Sequence, residues 1–414
     1  MRVIVFGGGV VGVTGAYFLA RDGHEVTLVE KQQRLAQDAS SGNAGLIAPG
    51  HSYSWASPAA PRMMLQSLVG KATAIRVRPS PDAELVRWGI RFLRECPRGR
   101  AERNTIVKLR LCRYSRDLLR RLIGDEKIDY GHSAEGVLYL YRDAEELELA
   151  YMKSELLRSH GEDQEVIDAD ACVRREPALA PVKDKIAGAV LGKEDFSGDS
   201  ELFTTALADR CAELGVEFKL GTAVHRLETA DSQVTGAVCD GGVLRADAYV
   251  LSLGCDSPAI SRTVGQRLPI YPAKGYSVTF PIDDGHEPPA CGGVDEATLV
   301  AWANFGDRLR ISSTAEFAGH SRSWSERDFS NILRMARELL PNAADYSRGT
   351  FRACLRPMTP GGPPIIGHGR HRNLIYNTGQ GHMGWTMACG SAKIASDLLA
   401  GRAPDIDVTG LGVP

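Results

Sequence analysis

The chain has 414 residues, is 43% hydrophobic and 24% charged, and carries a formal net charge of −2. This length favours two domains, and the composition supports a sizeable hydrophobic core. The near-zero charge argues against a general attraction to nucleic acid or anionic membranes, and no apolar run is long enough to span a bilayer.

Nine cysteines are scattered along the chain and form no CxxC pair. An odd number at irregular spacing indicates reduced thiols and a cytoplasmic location, and argues against a disulfide framework or a zinc site. We therefore expect no metal. The apolar N-terminus is better explained as a strand than as a signal peptide, because glycines interrupt it and only Arg2 supplies positive charge.

The first thirty residues have the pattern of a dinucleotide-binding unit. The apolar run Val3–Phe6 predicts a buried strand and leads into Gly7–Gly12, a GxGxxG motif. A helical pattern follows and ends near Gly23, and a second strand, Val26–Val29, leads to Glu30. Strand, glycine turn, helix and terminal acid together predict a Rossmann unit.

Each residue of the motif has a mechanical role. Gly7 permits the tight turn, Gly9 lets a pyrophosphate approach the backbone, and Gly12 permits close helix–sheet packing. The helix N-terminus attracts the phosphates, and Glu30 accepts hydrogen bonds from the ribose hydroxyls. The predicted dinucleotide contacts in this unit are Gly7, Gly9, Val10, Val11, Gly12, Glu30 and Lys31. The unit alone fits FAD and NAD equally well.

Two later segments have two interpretations each. The small-residue stretch Asp38–Gly50 is either backbone held close to a ligand or a plain flexible loop. The stretch Glu84–Arg121 is helical in pattern and has twelve Arg or Lys residues against four acids. It is interpreted first as a solvated helical face, although a basic amphipathic helix can also rest on an anionic membrane.

The remaining pattern alternates between strands and helices. Predicted strands or hairpins cover 136–142, the stretch to Val224, 234–254, 268–280, 307–319 and 374–379, and predicted helices cover 144–159, 201–214 and 325–340. Ser325 is the expected N-cap of the last of these helices, with Asp328 three residues on. The two strands at 268–280 and 307–319 are typical of an antiparallel sheet.

Six stretches carry a family resemblance. They are "GGGVVGVTGAYFLARDGHEVTLVEK", "SSGNAGLIAPG", "FSGDSELFTTALA", "LPIYPAKGYS", "LRPMTPGGPPIIG" and "NTGQGHMGWTMACGSAKIASDLLAG". In these the chain resembles the D-amino acid oxidase-like FAD-dependent oxidoreductases over nearly its whole length, especially the small-subunit type of D-amino acid dehydrogenase. The last two stretches are the specific ones, since the first is shared by every FAD or NAD Rossmann protein.

The resemblance implies an α/β fold in which a Rossmann-type FAD-binding domain is interleaved with an α+β substrate domain built on an antiparallel sheet. The FAD-binding parts are expected at 1–65, 170–265 and 351–414. The substrate domain is expected at 66–169 and 266–350.

The glycine-rich loop Asn377–Gly390 is then expected to lie against the flavin, since side chains there would hold the ring away. Its amides and the following helix N-terminus would stabilise negative charge on the reduced ring. The resemblance implies flavin contacts from Ala39, Ser40, Asn43, Ala44, Gly45, Leu46, Gly381, His382, Met383, Gly384, Trp385 and Thr386. It also implies cofactor contacts from Gly254 and, through its backbone to adenine, Val224.

The expected substrate residues are Arg356, His382, Tyr271 and Gln380. The resemblance places a carboxylate-binding arginine at Arg356 and a pocket residue at His382, with Tyr271, Tyr276 and Tyr53 as walls. The structural alternatives are an arginine salt-bridged at the domain boundary, a surface loop histidine and core tyrosines.

The expected reaction is oxidative deamination of D-amino acids. Hydride passes from the α-carbon to flavin N5, and the imino acid hydrolyses to a keto acid and ammonia. Alternatives are a D-hydroxyproline or D-proline dehydrogenase and a glycine or sarcosine oxidase-like enzyme, because Cys354, Gly361–Gly362 and Gln380 depart from the dehydrogenase pattern. An NAD-dependent dehydrogenase is disfavoured because it leaves the C-terminal loop unexplained, and a subunit that binds FAD only for structure is the non-enzymatic alternative.

Several properties are left open by the sequence. Cys354 falls where monomeric sarcosine oxidases attach flavin, although an ordinary core cysteine is the favoured interpretation. The electron acceptor is either a quinone or oxygen. A hetero-oligomer and peripheral contact with the inner face of the cell membrane are both compatible with the sequence.

Overall fold

Residues 1–68, 75–78 and 81–414 are described in the computed structural model of the chain. The helices in chain order are α1 (Val10–Arg21), α2 (Ala60–Leu68), α3 (Ala83–Glu95), α4 (Arg98–Glu126), α5 (Ala144–Arg158), α6 (Ala169–Arg175), α7 (Ser200–Glu213), α8 (Ser257–Thr263), α9 (Ser330–Leu339) and α10 (Gly384–Leu399). Short 3₁₀ helices cover Pro49–His51, Pro177–Lys185, Gly254–Asp256, Glu326–Phe329 and Gly381–Met383.

The first ten strands are β1 (Arg2–Phe6), β2 (Glu25–Val29), β3 (Leu46–Ile47), β4 (Ile75–Val77), β5 (Val137–Tyr141), β6 (Gln164–Asp168), β7 (Gly188–Gly192), β8 (Phe196–Ser197), β9 (Glu217–Lys219) and β10 (Val224–Ala230). The second ten are β11 (Gln233–Cys239), β12 (Gly242–Leu244), β13 (Ala248–Leu251), β14 (Tyr271–Pro281), β15 (Gly292–Asp295), β16 (Val300–Asn304), β17 (Arg308–Phe317), β18 (Thr350–Met358), β19 (Ile365–His368) and β20 (Leu374–Thr378).

A six-stranded sheet in the order β19-β20-β13-β1-β2-β9 contains the N-terminal unit. Its pairs are parallel except for β19 with β20. Val3 and Val5 join a hydrophobic cluster with α1, α7 and α10, while Ile4 and Phe6 join a second cluster on the opposite face. Apolar β-branched residues form this strand because both faces of a parallel sheet are buried.

A nine-stranded sheet forms the other layer, in the order β18-β14-β17-β16-β15-β5-β7-β6 with β4 paired to β17. Most pairs are antiparallel, and β5 with β15 and β4 with β17 are parallel. Phe329, Ile332 and Met335 of the α9 region pack against this sheet. Ser325 and Asp328 form the predicted cap at the start of the 3₁₀ helix Glu326–Phe329, which leads into α9. The predicted α/β fold with an antiparallel sheet is confirmed.

The predicted domain ranges remain a proposal, and two strands lie across them. Gly188–Gly192 and Thr350–Met358 belong to the nine-stranded sheet, although the expected ranges place 170–265 and 351–414 in the FAD-binding part. The apolar run 188–192 and the mixed segment 350–358 each suit either sheet, so their local pattern carries no information about which strand they pair with.

The stretch 84–121, predicted to be helical and basic, is present as two helices. Pro97 divides it into α3 and α4, because proline lacks the amide hydrogen that a continuous helix needs. One side of the long helix α4 is buried and contacts α10, and its Lys108 and Arg116 are 1% and 2% exposed. Other basic side chains of α4 are exposed, with Arg98 at 85% and Arg103 at 65%, so the helix also carries a solvated basic face.

The outer side of α3 keeps the predicted mixture of apolar and basic residues. Val86, Ile90 and Leu93 are exposed there, while Trp88 and Phe92 are buried. Membrane contact through this helix stays a prediction. None of the helices within the described residues combines the length and apolarity needed to cross a bilayer.

Candidate functional site

A cavity is lined by residues from both large sheets and from the C-terminal loop. It brings together twenty of the residues predicted from the sequence, although those residues are up to 379 positions apart in the chain. These are Gly7, Gly9, Val10, Val11, Glu30, Lys31, Ala39, Ser40, Asn43, Ala44, Leu46, Gly254, Arg356, Gln380, Gly381, His382, Met383, Gly384, Trp385 and Thr386.

Three predicted cofactor residues do not line this cavity. A Cβ on Gly12 would lie 1.9 Å from the carbonyl oxygen of Gly7, so Gly12 serves the tight helix–turn contact. Gly45 has φ +84° and lies against the ring of Phe305, where a side chain would not fit. Val224 pairs with β11 in a small three-stranded sheet, and its contact with adenine stays a prediction.

Two of the three tyrosines predicted as cavity walls, Tyr271 and Tyr276, are core residues in this structure. Tyr271 is 2% exposed and its hydroxyl donates to Asp82, the N-cap of α3, at 2.7 Å. Tyr276 donates to Glu316 at 3.1 Å inside the nine-stranded sheet. Neither of these tyrosines nor Tyr53 is among the residues that line the cavity. Tyr271 packs in the core, as strand aromatics commonly do, and its placement at the substrate stays a prediction.

The N-terminal end of the cavity fits a dinucleotide. Gly7 has φ +110°, and a Cβ there would lie 2.4 Å from a backbone oxygen of Ser252. The carboxylate of Glu30 accepts the amide hydrogen of Gly8 at 2.6 Å, which holds it at the end of β2 beside the turn. Helix α1 begins after Gly9, which has no side chain to cap it, and the amide of Val10 donates to the hydroxyl of Ser40 at 2.9 Å. The positive end of the helix dipole lies at the turn where the phosphates are expected.

The C-terminal loop forms the other end. Gly379 and Gly381 have φ +82° and +63°, and the loop enters α10 through the 3₁₀ turn Gly381–Met383. Thr386 fixes the start of α10, since its hydroxyl accepts the amide hydrogen of Ala48 at 3.2 Å. This brings the amides at the N-terminus of α10 next to the small-residue loop 38–50.

Three buried polar atoms of the cavity wall have no hydrogen-bond partner within the described residues. They are Oγ of Ser252, Nε2 of His382 and Nε1 of Trp385. Unpaired buried polar groups are rare because each costs free energy. A polar ligand lying in this cavity accounts for all three.

Arg356 supplies positive charge to the cavity. It lies on β18 opposite Ala273, and its guanidinium is flat against Gly275, where a Cβ would lie 2.4 Å from Nη2. Burial lowers the pKa of Arg356 below its ordinary value. Because arginine nevertheless stays protonated in proteins, the site holds a desolvated cation suited to a carboxylate.

His382 lies at the same end of the cavity. Its ring stacks on Trp55 with centroids 4.6 Å apart. Burial, and then the positive charges of Lys108, His51 and Arg356, hold the pKa of His382 well below its usual value. The imidazole is therefore neutral at physiological pH and offers an uncharged polar atom to a ligand.

The family model described as FAD dependent oxidoreductase (DAO) matches residues 2–398. The chain belongs to the DAO family of FAD-dependent oxidoreductases. FAD is therefore the cofactor of this cavity, as the sequence predicted, and the NAD alternative is set aside.

Relatives of this DAO family member extend over its whole length. It is 44% identical over 412 residues to D-amino acid dehydrogenase 2 of Mesorhizobium japonicum, covering 99% of each chain. It is 42% identical over 407 residues to the D-amino acid dehydrogenase of a Methylobacterium strain, covering 98% of this chain and 97% of that one. The structure is similar to that of glycine oxidase from Geobacillus kaustophilus, with TM-score 0.78, 22% identity and coverage of 100% and 98%.

Cys354 lines the FAD cavity of this DAO protein beside Gly42. A Cβ on Gly42 would lie 2.9 Å from the sulfur, so glycine is required there. Burial raises the pKa of Cys354, which keeps the thiol protonated near neutral pH. This is the state of an ordinary core cysteine, and attachment to flavin stays a prediction.

A second set of cavity residues is absent from the sequence prediction. His51 lines the cavity, with Nε2 2.9 Å from a carboxylate oxygen of Glu296 and its ring stacked on Tyr139. The Tyr139 hydroxyl donates in turn to the buried Asp195 at 2.6 Å. His51 directly follows the small-residue stretch Asp38–Gly50, which is the available signal. Its partners lie far away in the chain and leave no local pattern.

Proposed function

We propose that this protein oxidises D-amino acids at the α-carbon. The single observation that carries the proposal is the buried guanidinium of Arg356 facing the same cavity as the flavin-loop residues 381–386. The names of the two full-length relatives support the substrate class. The closed surroundings favour a small zwitterion whose carboxylate replaces water at Arg356.

Arg356 holds the substrate carboxylate. A guanidinium presents two parallel N–H donors, and the flat contact with Gly275 fixes its plane. The fixed carboxylate leaves one face of the α-carbon directed at the cofactor, so the chirality of the substrate follows from the orientation of this pair. Positioning of this kind contributes most of the rate in a reaction that needs no strong base.

His382 and Gln380 line the cavity at the same end as Arg356. His382 is neutral, so it does not repel the substrate amine as a cation would. Gln380 is 4% exposed and its amide donates to Asn377 at 2.8 Å, which ties the loop to the end of β20. Gln380 therefore holds the loop in place and is a positioning residue in this proposal.

The chemistry divides between cofactor and protein. FAD, when bound, accepts the α-hydrogen with its electron pair. The substrate amine reacts in its neutral form, and the α-imino product then hydrolyses in water to a keto acid and ammonia. The amides at the start of α10 present partial positive charge to the cavity and stabilise anionic character that develops there.

Anaerobic bleaching of the flavin absorbance tests the proposal. D-alanine, D-proline, cis-4-hydroxy-D-proline, sarcosine, L-alanine and L-proline are each added to the oxidised holoprotein. Bleaching by D-amino acids, with the L-enantiomers inactive, supports it. A cyclic substrate that alone bleaches the flavin points to the D-hydroxyproline or D-proline alternative, and failure of every D-amino acid overturns the proposal.

A further inference from the structure

A four-residue turn, 296–299, connects β15 to β16 at the cavity wall. Leu299 lines the cavity and has φ +51°, the left-handed region that glycine adopts readily and leucine avoids. Strained backbone of this kind persists only where the surrounding structure fixes it, and it concentrates at ligand sites. The turn therefore holds Leu299 in a costly conformation with its side chain at the cavity.

The turn is anchored at its first residue and its third. Glu296 contacts Nε2 of His51 at 2.9 Å, across the cavity wall. The hydroxyl of Thr298 donates to Asp295 at 2.6 Å, and Asp295 is itself bound by Arg142 at 3.0 Å. These bonds fix the turn at its first and third residues, next to Leu299, and oppose relaxation of the strained backbone.

The wall between Arg356 and the turn is made of small residues, which are apolar except for Ser312 and Ser313 on β17. The sheet order places β18 with Arg356 at one edge, followed by β14, β17, β16 and β15. Ala315 on β17, Ala301 on β16 and Val294 on β15 all line the cavity. A ligand whose carboxylate meets Arg356 extends across these strands toward Leu299.

The charges at this end are already paired. Burial lowers the pKa of His51, but the Glu296 carboxylate and its hydrogen bond outweigh this effect and that of the Lys108 ammonium, so the pKa is raised overall. The carboxylate of Glu296 is thus already engaged by His51 at 2.9 Å. Asp195, the remaining acid facing His51, binds the Tyr139 hydroxyl and the amide of Gly50. Within the described residues that line this wall, no unpaired carboxylate is left for a cationic side chain.

We infer that the turn 296–299 closes the far end of the substrate subsite, and that Leu299 selects D-amino acids with an unbranched apolar side chain of several carbons. This inference rests on the proposed function. D-Norleucine and D-methionine fill the space over the small wall residues and touch Leu299, whereas D-alanine does not reach it.

Two variants test the inference, Leu299→Ala and Leu299→Gly, with D-norleucine and D-alanine as paired substrates. Both variants lower kcat/KM for D-norleucine by about 10- to 100-fold, the effect of lost methylene contacts, and leave D-alanine within about threefold of wild type. The melting temperature gives an independent readout. Leu299→Gly melts at or above Leu299→Ala, because glycine relieves the positive φ.

The same Ala and Gly pair at Leu149, an exposed position within α5, is the matched control. There the glycine variant melts below the alanine variant, as in any helix interior. Equal losses of kcat/KM for both substrates in the Leu299 variants overturn the inference but not the proposed function. A Leu299→Gly variant that melts below Leu299→Ala does the same. A wild-type flavin that neither substrate reduces overturns the proposed function and the inference with it.

Discussion

Arg356 is a buried cation in the wall of the cavity. Its guanidinium lies on the backbone of Gly275, and the pKa of the group is lowered by burial. Loss of hydration makes such a charge costly on its own and strengthens its attraction to an anion that reaches it. The burial that costs folding free energy at Arg356 therefore also favours carboxylate binding there.

Replacement of Arg356 by leucine is expected to lower kcat/KM for D-amino acids by roughly 10²- to 10³-fold, about 3–4 kcal/mol, because a buried carboxylate loses its partner. Steady-state kinetics of the holoprotein measure it. Arg348→Leu removes an exposed guanidinium just before the same strand and serves as the control. Unchanged kinetics in the Arg356 variant, with flavin bound normally, would contradict the assignment.

Among single residues, those that lie within a recognisable sequence motif can be predicted from the sequence. Arg356 and His382 are predictable because each stands in a recognisable stretch. His51 and Glu296 are 245 positions apart and are not predictable as a pair, since only the fold brings them together. The positive φ of Leu299 could not be predicted either, because glycine and asparagine, and not leucine, are the residue types that commonly adopt this backbone conformation.

The packing of helix α1 against the glycine turn leaves no room for a side chain at Gly12. Gly12 lies against the carbonyl of Gly7, while Gly15, one turn further along, has no atom within 4 Å of the place that a Cβ would occupy. Both are glycines in the same buried helix. Their environments, and not their residue type, decide what a methyl group does at each.

Gly12→Ala is expected to destabilise the holoprotein by about 3 kcal/mol or more, since backbone must move to admit the methyl group. Gly15→Ala is the matched control and is expected to stabilise by about 0.5–1 kcal/mol through helix propensity. Urea unfolding midpoints and the flavin content of the purified proteins measure both. A Gly12 variant as stable as the Gly15 variant would show that the turn is not tightly packed.

Element types are predictable where the pattern is long and local. The strands 3–6 and 26–29 and the capped helix after Ser325 are present, because buried β-branched runs and capping residues act within a few positions. The break between α3 and α4 coincides with Pro97, a residue type that interrupts helices and that is visible in the sequence. The burial of charged residues on α4 cannot be predicted from the local sequence, because their partners lie elsewhere in the chain. Glu162, for example, pairs with Arg116.

Across the whole molecule, buried charge makes stability depend on pH. Glu162 and Asp195 lie close to Arg116 beneath the nine-stranded sheet. Burial and the negative charge of Asp195 raise the pKa of Glu162 to about 7, although Arg116 opposes this. Between the ordinary carboxyl pKa and about 7, the folded protein therefore holds a proton that the unfolded chain has released.

The free energy of unfolding should accordingly fall as pH rises from about 4.5 to 7 and level off above that, by roughly 1–3 kcal/mol from this group. Urea midpoints at pH 5 and pH 8 measure the difference. Glu162→Gln should shrink it, while Glu155→Gln, at an exposed position on α5, should leave it unchanged. An identical difference in the Glu162 variant and in wild type would refute this origin.

The pairing of α1 with α10 ties the first helix of the chain to its last one. During translation α1 leaves the ribosome with an apolar face that nothing yet covers. At roughly 5–20 residues per second, the roughly 360 residues that follow need about 20–70 s to be made. Throughout that interval the nascent N-terminal unit must be shielded by provisional contacts or by a chaperone.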